Sequence, residues 1–323
     1  MEMQIPLLVL VFVSMVVPNL VIGDLTPNFY QSSCPQAESI ILGVVRTRFT
    51  TDPSITPALL RMHFHDCFVN GCDASILIDS TKQNSSEKDA GPNQTVRGYD
   101  LIDTIKNALE KACPSTVSCA DIITVATRDA VALAGGPNYT IPTGRRDGVV
   151  SNADDVNLPG PSITVAQAFQ LFKGKGLTSI SDMVTLLGAH TVGVAHCSFF
   201  QDRLSNFQGT GAPDSSMDPA LVANFTRICS SSANADPSVN LDQSTGFVFD
   251  NAFYRQLLLK RGVLEIDQGL ALDRSSGGIV SGFARDSDGF KQSFGNAMVK
   301  LGNVQVLEGN AGQIRKNCRV FNG

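Results

Sequence analysis

Apolar positions recur every three or four residues along most of this chain, the spacing that puts them on one stripe of an α-helix. In CPQAESIILGVVRTRF (34–49), Ala37, Ile40, Ile41, Val44 and Val45 fall at that spacing, and Ser33 precedes them as a candidate cap. A second helix is predicted from Pro53 to Cys67. Ser118 is placed to cap a third, CADIITVATRDAVALA (119–134), with Asp121 in its first turn and Gly135 at its stop. Thr164 and Gln167 make a capping-box pair ahead of Phe169 and Phe172. Further helices are predicted over 182–189, 218–229, 250–261 and 290–301, the last two ending at Gly262 and Gly302. Strict alternation of apolar and polar positions, the mark of a half-buried strand, is scarce. The fold class expected is therefore mainly α, with long loops at 68–97, 135–163 and 230–249. Loops of that length in a compact domain are usually functional or pinned by disulfides or metals. There is no internal repeat, low-complexity tract or charge run.

The first apolar run has a different character. LLVLVFVSMVV (Leu7–Val17) has the length of a signal-peptide core, and Pro18 and Asn19 leave it short for a membrane span. Gly23 is small, as a cleavage site requires, although the usual basic start is missing: the first Lys or Arg is Arg46. Residues 1–23 thus read as a signal peptide and 24–323 as the mature chain, with no membrane association after cleavage. The eight cysteines, at 34, 67, 72, 113, 119, 197, 229 and 318, fit secretion. An even count in an oxidising compartment implies four disulfides, though spacing alone leaves 105 pairings open. No C-x-x-C pair supports zinc. Sequons stand at Asn84, Asn93, Asn138 and Asn224. A net charge of −5 argues against nucleic-acid binding.

Candidate chemistry begins at LLRMHFHDCF (59–68). Arg61 and His65, four apart, share a helix face, whereas His63 points elsewhere. A cation beside an imidazole suggests a neutral base near developing negative charge; a surface Arg with a core His is the plainer alternative. In DCFVNGCDAS (66–75), Asp66, Asp73 and Ser75 are oxygen donors of the kind calcium takes, although the EF-hand spacing is absent and an Asp-rich turn reads equally well. His190 in LLGAHTVG (186–193), taken alone, reads as a core histidine. Asp242, Thr245 and Asp250 in LDQSTGFVFDN (241–251) form another oxygen cluster. No G-x-S-x-G or H-E-x-x-H motif supports a hydrolase.

Together, RMHFHDCFVNGCDASIL and LGAHTVG in this order, with SEKDAGPN, CPSTVSCADI, AGGP, GRRDG, NLPGP, FDNAFY and DQGL, resemble the secretory plant peroxidases, the class III haem peroxidases. The resemblance runs from Leu25 to Val320. It implies an almost all-helical fold whose distal half (about 24–165) and proximal half (about 166–323) sandwich one haem b. His190 would be the proximal iron ligand, with Asp267 accepting its other ring N–H. His65 would move a proton from hydrogen peroxide to its departing oxygen, and Arg61 would stabilise the developing charge. Phe64 would pack above the haem. Asn93 would orient His65, a buried role that conflicts with its sequon, so Asn93 is expected to carry no glycan.

The resemblance also implies two calcium ions. The distal one would take Asp66, Val69, Gly71, Asp73 and Ser75, with Glu87 through a water; the proximal one would take Thr191, Asp242, Thr245, Val248 and Asp250. Implied bridges are Cys34–Cys113, Cys67–Cys72, Cys119–Cys318 and Cys197–Cys229, with the C-terminal segment tied back by the third. Asp121 and Arg145 match a buried ion pair, and Pro159 a residue at the donor entrance. The implied enzyme is a secreted, monomeric peroxidase of the cell wall or apoplast. It would reduce hydrogen peroxide and oxidise small phenolic donors by one-electron steps, in peroxide removal, oxidative-stress response and wall phenol coupling. A catalytically inactive wall glycoprotein of the same fold is the alternative. The chain departs from the family pattern at Tyr139, where Trp is frequent, and at Ser162, where no aromatic follows NLPGP. The remaining histidines, His63 and His196, are assigned to structure.

Overall fold

The computed structural model describes residues 25–230 and 236–323; the signal-peptide reading of 1–23 lies outside the described residues. Twelve α-helices occur among them: α1 (Ala37–Thr51), α2 (Ile55–Val69), α3 (Tyr99–Ala112), α4 (Cys119–Leu133), α5 (Val165–Gly174), α6 (Ile180–Leu187), α7 (Asp202–Ser205), α8 (Pro219–Cys229), α9 (Ala252–Leu258), α10 (Glu265–Leu272), α11 (Gly277–Arg285) and α12 (Ser287–Gly302). The strands β1 (Val194–His196) and β2 (Ser238–Asn240) pair antiparallel, with Ala195 opposite Val239.

Local chemistry sets several boundaries. Ser118 Oγ accepts from Asp121 N at 3.1 Å to open α4, and Gly135, at φ +93°, takes the left-handed conformation that stops it. At α5 the capping box is reciprocal: Thr164 Oγ1 accepts from Gln167 N (3.2 Å) and Gln167 Oε1 from Thr164 N (3.1 Å). Ser33 does not cap α1. The chain first turns through Cys34, whose N–H donates to the Tyr30 carbonyl, and α1 starts only at Ala37. Four helices escaped the sequence reading, the single-turn α7 among them. Helix α3 buries Leu101, Ile102, Ile105 and Leu109 at helical spacing, but Gly98 stands where a capping side chain is expected. Helices α10 and α11 carry Gly269, Gly277, Gly278 and Gly282, poor helix formers held helical by packing with α9.

Two large cores meet at α2. Leu59 and Met62 join α1, α3 and α4 in the first; Leu60 and Phe68 join α5, α6 and α9–α12 in the second. A helix hydrophobic on two faces is held rigidly, and the remaining edge of α2, with Arg61, Phe64 and His65, borders a cavity. A third, smaller cluster joins β1, α7 and α8 through Phe200, Leu204, Leu221 and Phe225. The bridges are Cys34–Cys113, Cys67–Cys72, Cys119–Cys318 and Cys197–Cys229. Cys119–Cys318 ties the start of α4 to the C-terminal segment. Nearby, fully buried Arg145 and Asp121 pair at 2.7 Å, and Arg145 Nε donates to the Gly302 carbonyl, fixing α4 to the end of α12.

Candidate active site

Helix α2 presents the distal residues. Asn93 Nδ2 donates to the Glu87 carbonyl (2.7 Å), which leaves Asn93 Oδ1 to accept from His65 Nδ1 at 2.6 Å. His65 is thereby fixed with its proton on Nδ1 and its bare Nε2 turned away from Asn93. Arg61 Nε lies 3.4 Å from that Nε2, and Arg61 Nη2 is anchored on the Pro92 carbonyl at 2.8 Å. Burial lowers the His65 pKa, and the Arg61 charge lowers it further, to about 4 despite the Asn93 bond. The imidazole is therefore a neutral base at mildly acidic and neutral pH.

His190 sits in a short helical turn, Gly188–Thr191, directly after α6. Close packing holds this turn: a side chain at Gly188 would come within 2.2 Å of the Tyr254 hydroxyl. His190 Nδ1 donates to Asp267 Oδ1 at 2.8 Å, leaving Nε2 free to ligate. Burial lowers the His190 pKa, but the charge and hydrogen bond of buried Asp267 more than offset this and raise it. The carboxylate thus makes the imidazole a stronger electron donor.

Arg61, Phe64, His65 and His190 line one cavity of about 410 Å³, together with Leu60, Phe172, Leu186, Met298, Pro159 and other mainly apolar residues. An apolar slot with two histidines, one oriented by a carboxylate and one by an amide, suits a porphyrin ligated through His190. A family model for peroxidases matches residues 41–286. The chain belongs to the peroxidase family. It is 59% identical over 300 residues to peroxidase 57 of Arabidopsis thaliana, a match covering 93% of each chain. It is 56% identical to Arabidopsis thaliana peroxidase 44 (93% of this chain, 94% of the relative) and 42% identical to Armoracia rusticana peroxidase C2 (93% and 88%). Within the family it is a class III plant peroxidase.

The peroxidase keeps an oxygen-rich cluster behind His65. Asp66, Asp73, Ser75 and Glu87 are buried, and Asp66 Oδ1, Ser75 Oγ and both Glu87 carboxylate oxygens lack hydrogen-bond partners. Burial and mutual repulsion push Asp66 well up, and burial carries Glu87 to about 8. Bare, buried oxygens of this kind fit a hard cation such as calcium. The Val69 carbonyl, also expected there, accepts from Lys175 Nζ at 2.7 Å, and the Gly71 carbonyl from Asp73 N at 2.8 Å. In the second loop Thr191 Oγ1 donates to Asp250 Oδ1 (3.5 Å) and Thr245 Oγ1 to Asp242 Oδ2 (3.0 Å), so Thr191 next to His190 is joined to the 241–251 segment. Val248 is exposed there. The donors suit a hard cation, but they are already paired with one another, and the fit is weaker than at Asp66.

His63 is buried with Nε2 3.3 Å from Thr124 Oγ1, and burial holds it neutral. That is a structural position. His196 lines the cavity with Val194 and Phe199. The alternation that puts Val194 and His196 on one face of β1 spans three residues, too few to register as a strand in the sequence. Of the sequons, Asn84, Asn138 and Asn224 are exposed, whereas Asn93 is 2% exposed and its Nδ2 is committed to Glu87. Glycopeptide mapping of the active protein is expected to find Asn93 unmodified. A glycan at Asn93 in haem-loaded, active enzyme would overturn its placement beside His65.

Proposed function

We propose that this peroxidase is a secreted haem enzyme that reduces hydrogen peroxide to water and oxidises phenolic donors in two one-electron steps. The observation that carries the reading is the neutral His65, its unprotonated Nε2 accepting from Arg61 Nε at 3.4 Å, in the same cavity as the His190–Asp267 pair. His190 would ligate the haem iron, and Asp66, Asp73, Ser75 and Glu87 would hold one calcium; Thr191, Asp242, Thr245 and Asp250 would hold the second. When bound, the haem supplies the redox chemistry that cleaves the O–O bond.

The chain's own residues supply proton handling and access. His65 Nε2 accepts the proton from one peroxide oxygen and returns it to the other, which departs as water. Arg61, held by the Pro92 carbonyl, brings positive charge to the breaking bond. Asn93 keeps His65 in the tautomer that leaves Nε2 basic. Leu158, Pro159 and Phe199 line the cavity and give a phenol ring an apolar path to the haem edge. Four disulfides support folding in an oxidising compartment. A catalytically inactive wall protein would have no use for a base so carefully held neutral.

Stopped-flow mixing of the purified haem protein with hydrogen peroxide tests this. A rapid Soret change, reversed by guaiacol or another phenol with two equivalents consumed per peroxide, is expected. A haem-loaded protein inert to peroxide would end the proposal.

A further inference from the structure

The turn that leaves α2 for the Asp66 cluster is held from outside. Val69 ends the helix, and no basic residue stands in the last turn to answer the negative end of the helix dipole. The cation there comes from the other half of the chain. Lys175 directly follows α5, on a turn closed by Gly176 N donating to the Lys173 carbonyl and Leu177 N to the Phe172 carbonyl, both at 3.0 Å, with Gly176 at φ +80°. Leu177 and Phe172 are buried in the second core, which anchors this turn. From it Lys175 Nζ donates to the Val69 carbonyl at 2.7 Å and lies 3.4 Å from Gln305 Oε1. The residues after Val69 are pinned to the same segment. Cys72 N donates to the Val304 carbonyl at 3.1 Å, and a side chain at Gly71 would come within 2.3 Å of the Gln305 carbonyl.

We infer that Lys175 sets the calcium affinity of the Asp66 cluster, lowering it by placing an ammonium on a carbonyl that the ion would share. The inference rests on the calcium reading of Asp66, Asp73, Ser75 and Glu87. A carbonyl oxygen has two lone pairs, so Val69 can accept from the ammonium and face a cation together. A calcium ion on that oxygen, at roughly 2.5 Å, would stand about 5 Å or less from Lys175 Nζ. Repulsion between a single and a double charge at that separation is felt even at the dielectric constant of water, and salt screens only part of it. An ion that displaces the lysine instead gives up the bond between Lys175 and Val69. Both routes weaken binding. Without the ion, the same lysine keeps the Val69 carbonyl paired and the end of α2 in place. Occupancy of the site therefore follows the surrounding calcium more closely than the carboxylates alone would dictate.

The test uses purified holoenzyme at one neutral pH and fixed ionic strength. Calcium dissociation constants are read by competition with a fluorescent chelator, and Tm by melts with calcium and with excess chelator. The binding step that Glu87→Gln shifts is the one belonging to this cluster. Lys175→Gln and Lys175→Met should each tighten that step about fivefold or more, whereas Lys175→Arg, which keeps the charge, should leave it within about twofold. By linkage, the gap between the calcium-loaded and chelated Tm should widen in the two neutral variants. A step left unchanged or weakened in both, with no wider gap, would overturn the inference and leave the calcium site standing. Equal tightening by Lys175→Arg would also overturn it, because the charge would then not be the cause. An unaltered holoenzyme that binds no calcium would overturn the site reading as well.

Discussion

Replacing His65 by alanine is expected to slow the reaction with hydrogen peroxide by about 10²- to 10⁴-fold, the range for removing a positioned general base. The effect belongs to the peroxide step because His65 Nε2 is the neutral base beside Arg61, and among the described residues no second unprotonated imidazole shares that position. Asn93→Ala keeps the base but frees its tautomer, so a smaller loss is expected. The pH profile follows from the same geometry. Protonation disables the base, and burial with the Arg61 charge lowers its pKa from the ordinary histidine range to about 4. The rate constant should therefore hold steady from neutrality down to mildly acidic pH and fall below that value. Arg61→Leu removes the charge that assists this lowering, so the acid limb should move to higher pH even as the rate drops. Stopped-flow rates across the pH range read both effects. A His65→Ala protein that loads haem and reacts at the original rate would refute the assignment.

The helical class was legible because long amphipathic segments such as 119–133 carry both periodicity and a cap. Helices α10 and α11 were not, because their glycines argue against a helix that only contacts with α9 sustain. The same division runs through the site. Arg61 and His65 were legible as a pair because a four-residue spacing is a local fact. The partnership of His190 with Asp267 spans 77 residues, so periodicity alone left Asp267 an unremarkable acid and only the family resemblance singled it out. The place of His196 at the cavity wall was not legible, because it depends on pairing with Ser238 across a segment far along the chain, which nothing near residue 196 records.

Chelating the cation expected at Asp66, Asp73, Ser75 and Glu87 should destabilise the protein more as pH rises. Without a cation, burial raises the pKa values of Asp66, Asp73 and Glu87, Glu87 to about 8, and the three carboxylates repel one another. The cation-free folded state then holds protons that the unfolded chain releases. Its stability is fully present below the ordinary carboxylate range and is lost as pH climbs through the raised values. A bound cation removes this penalty by neutralising the ionised oxygens, which Arg315 alone cannot do. Leaving buried carboxylates unpaired costs about 3 kcal/mol or more, enough to lower Tm by roughly 5 °C or more in a chain of this size. Chelation should therefore change Tm little near pH 5 and strongly near pH 8, with Glu87→Gln narrowing the difference. Catalysis should fall in parallel, because Asp66 adjoins His65 on α2 and the Glu87 carbonyl holds the amide of Asn93. Thermal melts with and without chelator at the two pH values, paired with peroxide rates, decide the matter; equal Tm at the higher pH would mean that these oxygens hold no cation.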